Sequence, residues 1–384
     1  MTAGDLRTPT TAPMPPKFSG PVLMPNSFHQ GWVALSDRGL LTPATPDAML
    51  RQGLFVMELA LPLQNASLLL DHQSNTDWPR TFAIFHDPAS GIVILHRQGK
   101  DVARHVLPGP LPQGKGTARL SFHFNAPARH WSLSFELLGT DPPVAITATG
   151  QNPLPIPLSD LQSLCTKHRP SGPVLWFGLT EGIAPPGAAP WIGLRTPVET
   201  SLGPVLAGHL KPGDILLTED GPLPLLTAQR LALPARGSFA PVLLRAPFFG
   251  QSQDLLVSAD QLLAISGPEV EYIFGTDAVL MPAGALVDGR TALSDQRRAI
   301  TGSVALDLGR PALIESNGCL LAIGQDPACD LPLRCLQTYE VLTLMTLLGR
   351  TPRRAAPPEA SKTYLKLSSS VLKYPTGAQK FATK

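Results

Sequence analysis

Apolar and polar residues alternate in short runs through the first half of the chain. Leu120-Ser-Phe-His-Phe124 alternates strictly, and Trp131-Ser-Leu-Ser-Phe-Glu-Leu137 places Trp131, Leu133, Phe135 and Leu137 on one face. A period of two sets one face of a strand against a core and the other in water. Apolar runs at residues 55–61, 67–70, 82–85, 92–95, 144–147 and 174–178 predict further strands. Asp87-Pro-Ala-Ser-Gly91, between two of these runs, has the composition of a hairpin loop. Only residues 158–168 carry helical spacing, with Leu158, Leu161 and Leu164 about three apart. Short strands broken by Pro and Gly turns predict a β-sandwich over residues 18–184.

Proline sharpens this picture. Forty-two of 384 residues are proline, roughly double the usual share of about 5%, and proline suits turns better than helix interiors or central strands. Gly182-Ile-Ala-Pro-Pro-Gly-Ala-Ala-Pro190 reads as a linker, so a domain boundary is expected there. Residues 1–17 are Thr/Pro-rich and are expected to be disordered. They lack a basic stretch followed by an apolar run, and no apolar stretch reaches the ~18 residues that span a membrane. The default expectation is a cytoplasmic protein, with export by a route that reads no N-terminal signal left open.

The second half also reads as strands and turns. Lys211-Pro-Gly-Asp214 predicts a tight turn into a strand at residues 215–218, and Glu219-Asp-Gly221 a second turn. Residues 241–245 and 254–257 read as strands, and residues 336–348 as a helix with a broad apolar face. Two longer runs carry more information: Trp191-Ile-Gly-Leu-Arg-Thr-Pro-Val-Glu-Thr-Ser-Leu-Gly203, and Leu256-Val-Ser-Ala-Asp-Gln261. With Phe274-Gly-Thr-Asp277, residues 281–289 and the closing strand at residues 312–318, they make residues 190–345 resemble the bacterial form of the Hedgehog/intein (Hint) domain. The fold implied is a mostly β chain: a β-sandwich followed by an all-β Hint-like domain at residues 185–349. The strand pattern of the first half, ending in Trp-Phe-Gly at Trp176, Phe177 and Gly178, resembles the concanavalin-like jelly rolls of lectin and laminin-G modules.

The resemblance also implies a chemistry. In Hint domains the first residue, usually Cys and in some members Ser, attacks the peptide bond that precedes it. The acyl group moves from nitrogen to sulfur or oxygen, and a His in a later block helps to protonate the scissile amide. Here Thr196, Thr200 and Gly203 fit the first block, Pro212, Gly213 and Asp214 fit the turn, and Ser258 fits the second block. The nucleophile position holds Trp191 and the histidine position holds Gln261, and neither can perform its step. No cysteine lies between Cys165 and Cys319, and after His168 the only histidine is His209. The resemblance therefore implies a catalytically degenerate domain in a binding or structural protein. The alternative is an active self-cleaving or self-splicing protein that uses Thr196, Thr200, Ser201 or a cysteine elsewhere.

Other chemistry is thinly signalled. Eight of nine histidines, His29, His72, His86, His96, His105, His123, His130 and His168, lie in the first half with no HxH or HExxH spacing. His86 and His96 are placed to face each other across the expected hairpin, as a candidate acid–base or metal pair. The competing reading is scattered surface or interior polar residues. Asp71, Asp77 and Asp87 fit no calcium-loop motif and suit turns. Cys319, Cys329 and Cys335 form no CxxC pair and are read as free thiols or as one disulfide. No metal or other cofactor is implied. Trp78, Trp131 and Trp176 are candidate stacking platforms for a glycan, with Trp131 also read as core. A glycan or protein ligand of the sandwich is the partner expected. The net charge of +2 argues against nucleic-acid binding by the chain as a whole. Residues 350–384 form a basic tail of net +7, leaving the remainder at −5. Such a tail suits an acidic partner, nucleic acid or anionic lipid, or simply solvent.

Overall fold

A computed structural model describes residues 31–41, 45, 48–140, 143–167, 172–181, 190–324 and 331–348. The expected disordered segment at 1–17, the basic tail, Cys329, His29, His168 and nearly all of the linker lie outside the described residues. The architecture is mostly β. Among the described residues the three α-helices are α1 (Leu158–Lys167), α2 (Pro268–Phe274) and α3 (Thr338–Leu347).

The first half builds two packed sheets. Its strands are β1 (Trp32–Leu35), β2 (Gly39–Leu40), β3 (Met49–Leu50), β4 (Gln52–Leu61), β5 (Ser67–Ser74), β6 (Arg80–Asp87), β7 (Gly91–Gln98), β8 (Asp101–Pro108), β9 (Gly116–Asn125), β10 (His130–Leu137), β11 (Val144–Gln151), β12 (Ile156–Pro157) and β13 (Val174–Thr180). One sheet has the order β11-β10-β9-β4-β13-β1-β2, and the other is β5-β6-β7-β8. Every pairing within these two sheets is antiparallel. The alternation read in β9 and β10 is realised. Leu120, Phe122 and Phe124 with Trp131, Leu133 and Phe135 face inward, against Phe82, Ile84, Ile92 and Ile94 of the smaller sheet. Strand β4 differs, because Leu54 to Leu59 are buried without a break. A strand buried on both faces needs a second layer over its outer side.

The second half supplies that layer. Its strands are β14 (Ile192–Gly193), β15 (Pro197–Thr200), β16 (Gly203–Leu206), β17 (Ile215–Thr218), β18 (Gly221–Pro224), β19 (Thr227–Pro234), β20 (Val242–Leu244), β21 (Leu255–Val257), β22 (Leu262–Ser266), β23 (Ala278–Pro282), β24 (Ala292–Ser294), β25 (Ile300–Asp307), β26 (Ala312–Ser316) and β27 (Cys319–Ile323). They form one sheet of order β19-β25-β14-β21-β20-β24 and another of order β16-β15-β17-β26-β27-β22-β23, with β18 beside β17. Val198, Leu216, Val257, Leu263, Met281 and Ile314 share their core. Helix α3 starts two residues later than its apolar run suggests. Gln337 takes the N-cap, and Glu340 returns a 2.9 Å bond to the Gln337 amide. Strands β8, β19 and β25 and helix α2 were not among the expected elements. Helix α2 is short, opens on Pro268 and stops at left-handed Gly275.

The register corrects one histidine reading. His86 lies opposite Ile92, and His96 opposite Phe82, so the two rings do not pair across the hairpin. His72, His86, His96 and His105 are instead buried inside the sandwich. The His105 ring packs against Phe122 and Trp131 at 4.8 and 4.9 Å between centroids. His72 Nε2 lies 3.2 Å from Asp160, and Arg80 bonds the same carboxylate at 2.9 and 3.0 Å. Burial alone would raise the pKa of Asp160, but the hydrogen bonds from His72 and Arg80 outweigh it and leave it lowered. Of the carboxylates suggested for calcium, Asp87 caps its own turn through Ala89 and Ser90, and Asp71 bonds Gln73. Among the described residues no three His, Cys, Asp or Glu side chains gather as a metal site.

Burial pushes His96 and His105 down to about 4 from 6.5, with the neighbouring His105 adding to the effect on His96. Both rings hold their proton less well folded than unfolded. Their contribution to stability is therefore intact above about pH 6.5 and is lost as the pH falls toward about 4. The loss should approach about 1.4 kcal/mol per pH unit for each ring. Guanidinium unfolding across that window should show the slope, and His105→Leu should remove about half of it; an unchanged slope would contradict this assignment.

Candidate functional site

The chemistry expected of the second half centres on the amide of Trp191. That residue enters β14, which lies between β21 and β25, with Ile192 opposite both Val257 and Val304. The Trp191 amide donates to Ser258 Oγ at 3.1 Å, and the Ser258 amide donates to the Trp191 carbonyl at 2.9 Å. Ser258 therefore grips both backbone groups of the residue that follows the Pro190–Trp191 bond. Gln261 closes a turn back to the Ser258 carbonyl at 3.2 Å. Its side chain is fully buried, with Nε2 donating to Ala322 at 2.7 Å and to Leu262 at 3.0 Å. Its Oε1 has no partner. An amide held in this way donates hydrogen bonds but carries no titratable proton.

The remaining motif residues serve geometry. Thr196 is buried, its hydroxyl 3.5 Å from the Leu256 carbonyl beside the Ser258 turn. Thr200 Oγ donates to Gly203 at 2.6 Å and accepts from the Leu202 amide at 3.2 Å, so it closes the β15–β16 turn. Gly203 has φ +101°, a left-handed value that favours glycine there. Asp214 accepts from the Lys211 amide at 2.8 Å across Pro212 and Gly213. The fold thus gathers Trp191, Thr196, Ser258 and the Gln261 turn. It leaves Thr200, Gly203, Pro212, Gly213 and Asp214 in two separate turns.

Alternative nucleophiles fare poorly. Cys165 and Cys319 are free and buried, and burial pushes both thiols up to about 12. A thiol that holds its proton is a weak nucleophile at neutral pH. Cys335 is also free, and burial raises it too. Ser201 is exposed, and so is His209 at the end of the short 3-10 turn Ala207–His209.

The Trp191 side chain does something else. It is 4% exposed and belongs to a cluster drawn from both halves of the chain. Trp32, Leu35, Leu54, Val56 and Trp176 come from the outer face of β1, β4 and β13, and Leu233, Phe239 and Ile300 from the second half. Trp176 meets Phe239 edge-on at 5.9 Å. Trp32 Nε1 donates to the Ala232 carbonyl at 3.1 Å. Polar contacts ring the cluster. Ser238 donates through its amide, at 3.0 Å, and through its hydroxyl to Glu58, which is fully buried. Arg119 reaches Ser238 Oγ at 2.6 Å and Glu58 at 3.7 Å, and Arg236 pairs with Asp37 at 2.5 Å. This joint corrects the stacking-platform reading: Trp176 lies in the joint and Trp131 in the sandwich core, and only Trp78 is exposed. The sequence did carry one signal of it, the apolar run Leu54-Phe-Val-Met57 that fills both faces of β4.

The comparisons with known proteins decide the family of the second half. The Hint domain family matches residues 194–321. The chain carries a Hint domain. The matched span begins just after Trp191 and includes Thr196, Ser258 and Gln261. Among solved structures the chain is similar to the gp41-1 intein, at 14% identity and TM-score 0.26, over 36% of this chain and 100% of the intein. It is similar to the CBM40 module of a Ruminococcus gnavus IT-sialidase, at 15% identity and TM-score 0.25, over 35% of this chain and 79% of that one. It is also similar to domains LG4-5 of the mouse laminin alpha1 chain, at 8% identity and TM-score 0.21, over 78% of this chain and 76% of that one. A search of curated proteins returns no match. Among the described residues no helix is long and apolar enough to cross a membrane.

If Trp191 and its cluster hold the Hint domain to the sandwich, Trp191→Ala should destabilise the protein by about 3–5 kcal/mol. Gly237 offers a second probe. It has φ +52°, and a methyl group there would overlap the Glu58 carboxylate and the Trp176 indole. Gly237→Ala should therefore split guanidinium unfolding into two transitions, one for each core. A single transition with an unmoved midpoint in both variants would show that the joint contributes nothing.

Proposed function

We propose that this Hint-domain protein does not cleave itself and works as an intact binding or structural protein, with its domain boundary in the linker before Trp191. One observation carries the reading. The side chain at the family's nucleophile position is an indole buried in the joint between the two halves. An indole cannot attack a carbonyl, and the neighbouring Gln261 cannot shuttle a proton. The Ser258 bond to the Trp191 amide then acts as a structural tie. The sandwich is the part placed to bind, since the outer face of β9, β10 and β11 remains open and polar.

The test is the mass of the purified full chain, incubated with and without a thiol reductant. A single species of full mass in both conditions is expected. A fragment boundary at or near Trp191 would sink the proposal. A boundary that disappears in Thr196→Ala or Ser201→Ala would assign the reaction to that hydroxyl.

A further inference from the structure

The outer face of the larger sandwich sheet carries two chemistries. On β4, β13 and β1 it is apolar, and the Hint domain covers it through Leu54, Val56, Trp176 and Trp32. On β9, β10 and β11 the same face is polar and uncovered. The register sets Ser121 opposite Ser134 and Ser134 opposite Thr147, and His123 opposite Ser132 and Ser132 opposite Thr149. Where the two regions meet there is a groove of about 230 Å³, lined by Arg119, Ser121, His123, Ser132, Ser134 and Glu136 and closed on its apolar side by Leu54. The Hint domain adds to its rim through the Arg119–Ser238 bond.

The polar groups in this groove are not matched to one another. The hydroxyls of Ser121, Ser132 and Ser134 make no hydrogen bond to another described residue. His123 Nε2 and Arg119 Nε are buried and without a partner. Leaving a buried donor or acceptor unsatisfied is costly, so such groups are normally paired in a folded protein. Two such buried atoms, beside half-exposed serine hydroxyls that have no protein partner, point to a ligand that supplies both donors and acceptors.

Charge selects the kind of ligand. Arg119 lies 3.7 Å from Glu58 and 3.8 Å from Glu136, so two carboxylates face one guanidinium. Burial disfavours the charged form of His123, and the neighbouring His130 disfavours it further. An anion would meet excess negative charge and an arginine already engaged. Serine hydroxyls both donate and accept, and the Cβ atoms that carry them on facing strands stand about 5 Å apart. The volume falls below the about 300–1,000 Å³ of pockets for drug-sized ligands, so one ring fills it.

We propose that this groove binds one ring of a neutral polyhydroxylated ligand, a sugar unit, through Ser121, Ser132, Ser134 and His123, with the Arg119–Ser238 contact as its wall. The proposal rests on the reading of the sandwich as the binding part of an intact chain. The test is titration calorimetry of the full chain with methyl glycosides of neutral hexoses and N-acetylhexosamines, with glucuronic and N-acetylneuraminic acids as the anionic arm. Saturable binding of at least one neutral glycoside is expected, with the acids weaker by about tenfold or more. Ser134→Leu should weaken binding by at least about tenfold while leaving the melting temperature in place. Ser132→Ala combined with Ser134→Ala, which adds no bulk, should weaken it too. The proposal is overturned if no neutral glycoside binds, if the acids bind more tightly, or if both sets of variants bind like the parent. The mass measurement stays separate. A whole chain that binds no sugar sinks the groove alone, whereas a chain cut at Trp191 sinks the non-cleaving reading and removes the support the groove takes from it.

Discussion

The structure depends on covering the outer face of β4 and its neighbours. Leu54 and Val56 point away from the sandwich core, and without a second layer they would stand in water beside Trp32 and Trp176. Each such side chain removed from water is worth roughly 1.5–3 kcal/mol. The Hint domain provides the layer, and Trp191 makes the link direct. Its backbone sits in the Hint sheet through Ser258, while its side chain sits against the sandwich. A smaller side chain at this position would leave much of the indole's volume empty. The indole at residue 191 fills the joint, as packing requires there.

Polar contacts fix how the two halves meet. Glu58 is fully buried, and a carboxylate there is tolerable only when its oxygens are bonded. The Ser238 amide and hydroxyl and the Arg119 guanidinium meet that need, and two of these three groups lie across the joint from Arg119. Left-handed Gly237 lets the chain pass close enough for Ser238 to reach. The apolar cluster supplies most of the attraction, and Glu58 specifies the register. Any other placement of residues 236–239 would strand a buried charge.

Much of the fold was legible in the sequence because strand alternation is a local signal. Leu120-Ser-Phe-His-Phe124 and Trp131 to Leu137 declare their inner faces directly, and the turn at Lys211-Pro-Gly-Asp214 declares itself through Pro and Gly. The Hint pattern was legible for the same reason, since its residues are turn and strand formers with fixed spacing. The site was less legible. The expectation that Trp191 and Gln261 stand in the chemical positions rests on the motif resemblance alone. What Trp191 does there depends on Trp32 and Phe239, about 160 and 50 residues away in sequence, and no local period reports such pairing. The histidines show the same limit. His86 and His96 flank one loop, yet the register sends them to different partners.

The groove and the joint are not independent features. Arg119 stands in both: it lines the groove, it stacks over Phe239 at 4.6 Å, and it bonds Ser238. Ser238 in turn holds Glu58. The wall of the groove is therefore built by the contact that keys the Hint domain to the sandwich. A chain cut before Trp191 and allowed to separate would lose Ser238 from Arg119 and would uncover Glu58 and Trp176, together with Leu54 of the groove. A binding face of this design requires the two halves to stay joined, and the Trp191 indole, buried between them, is a residue that keeps them so.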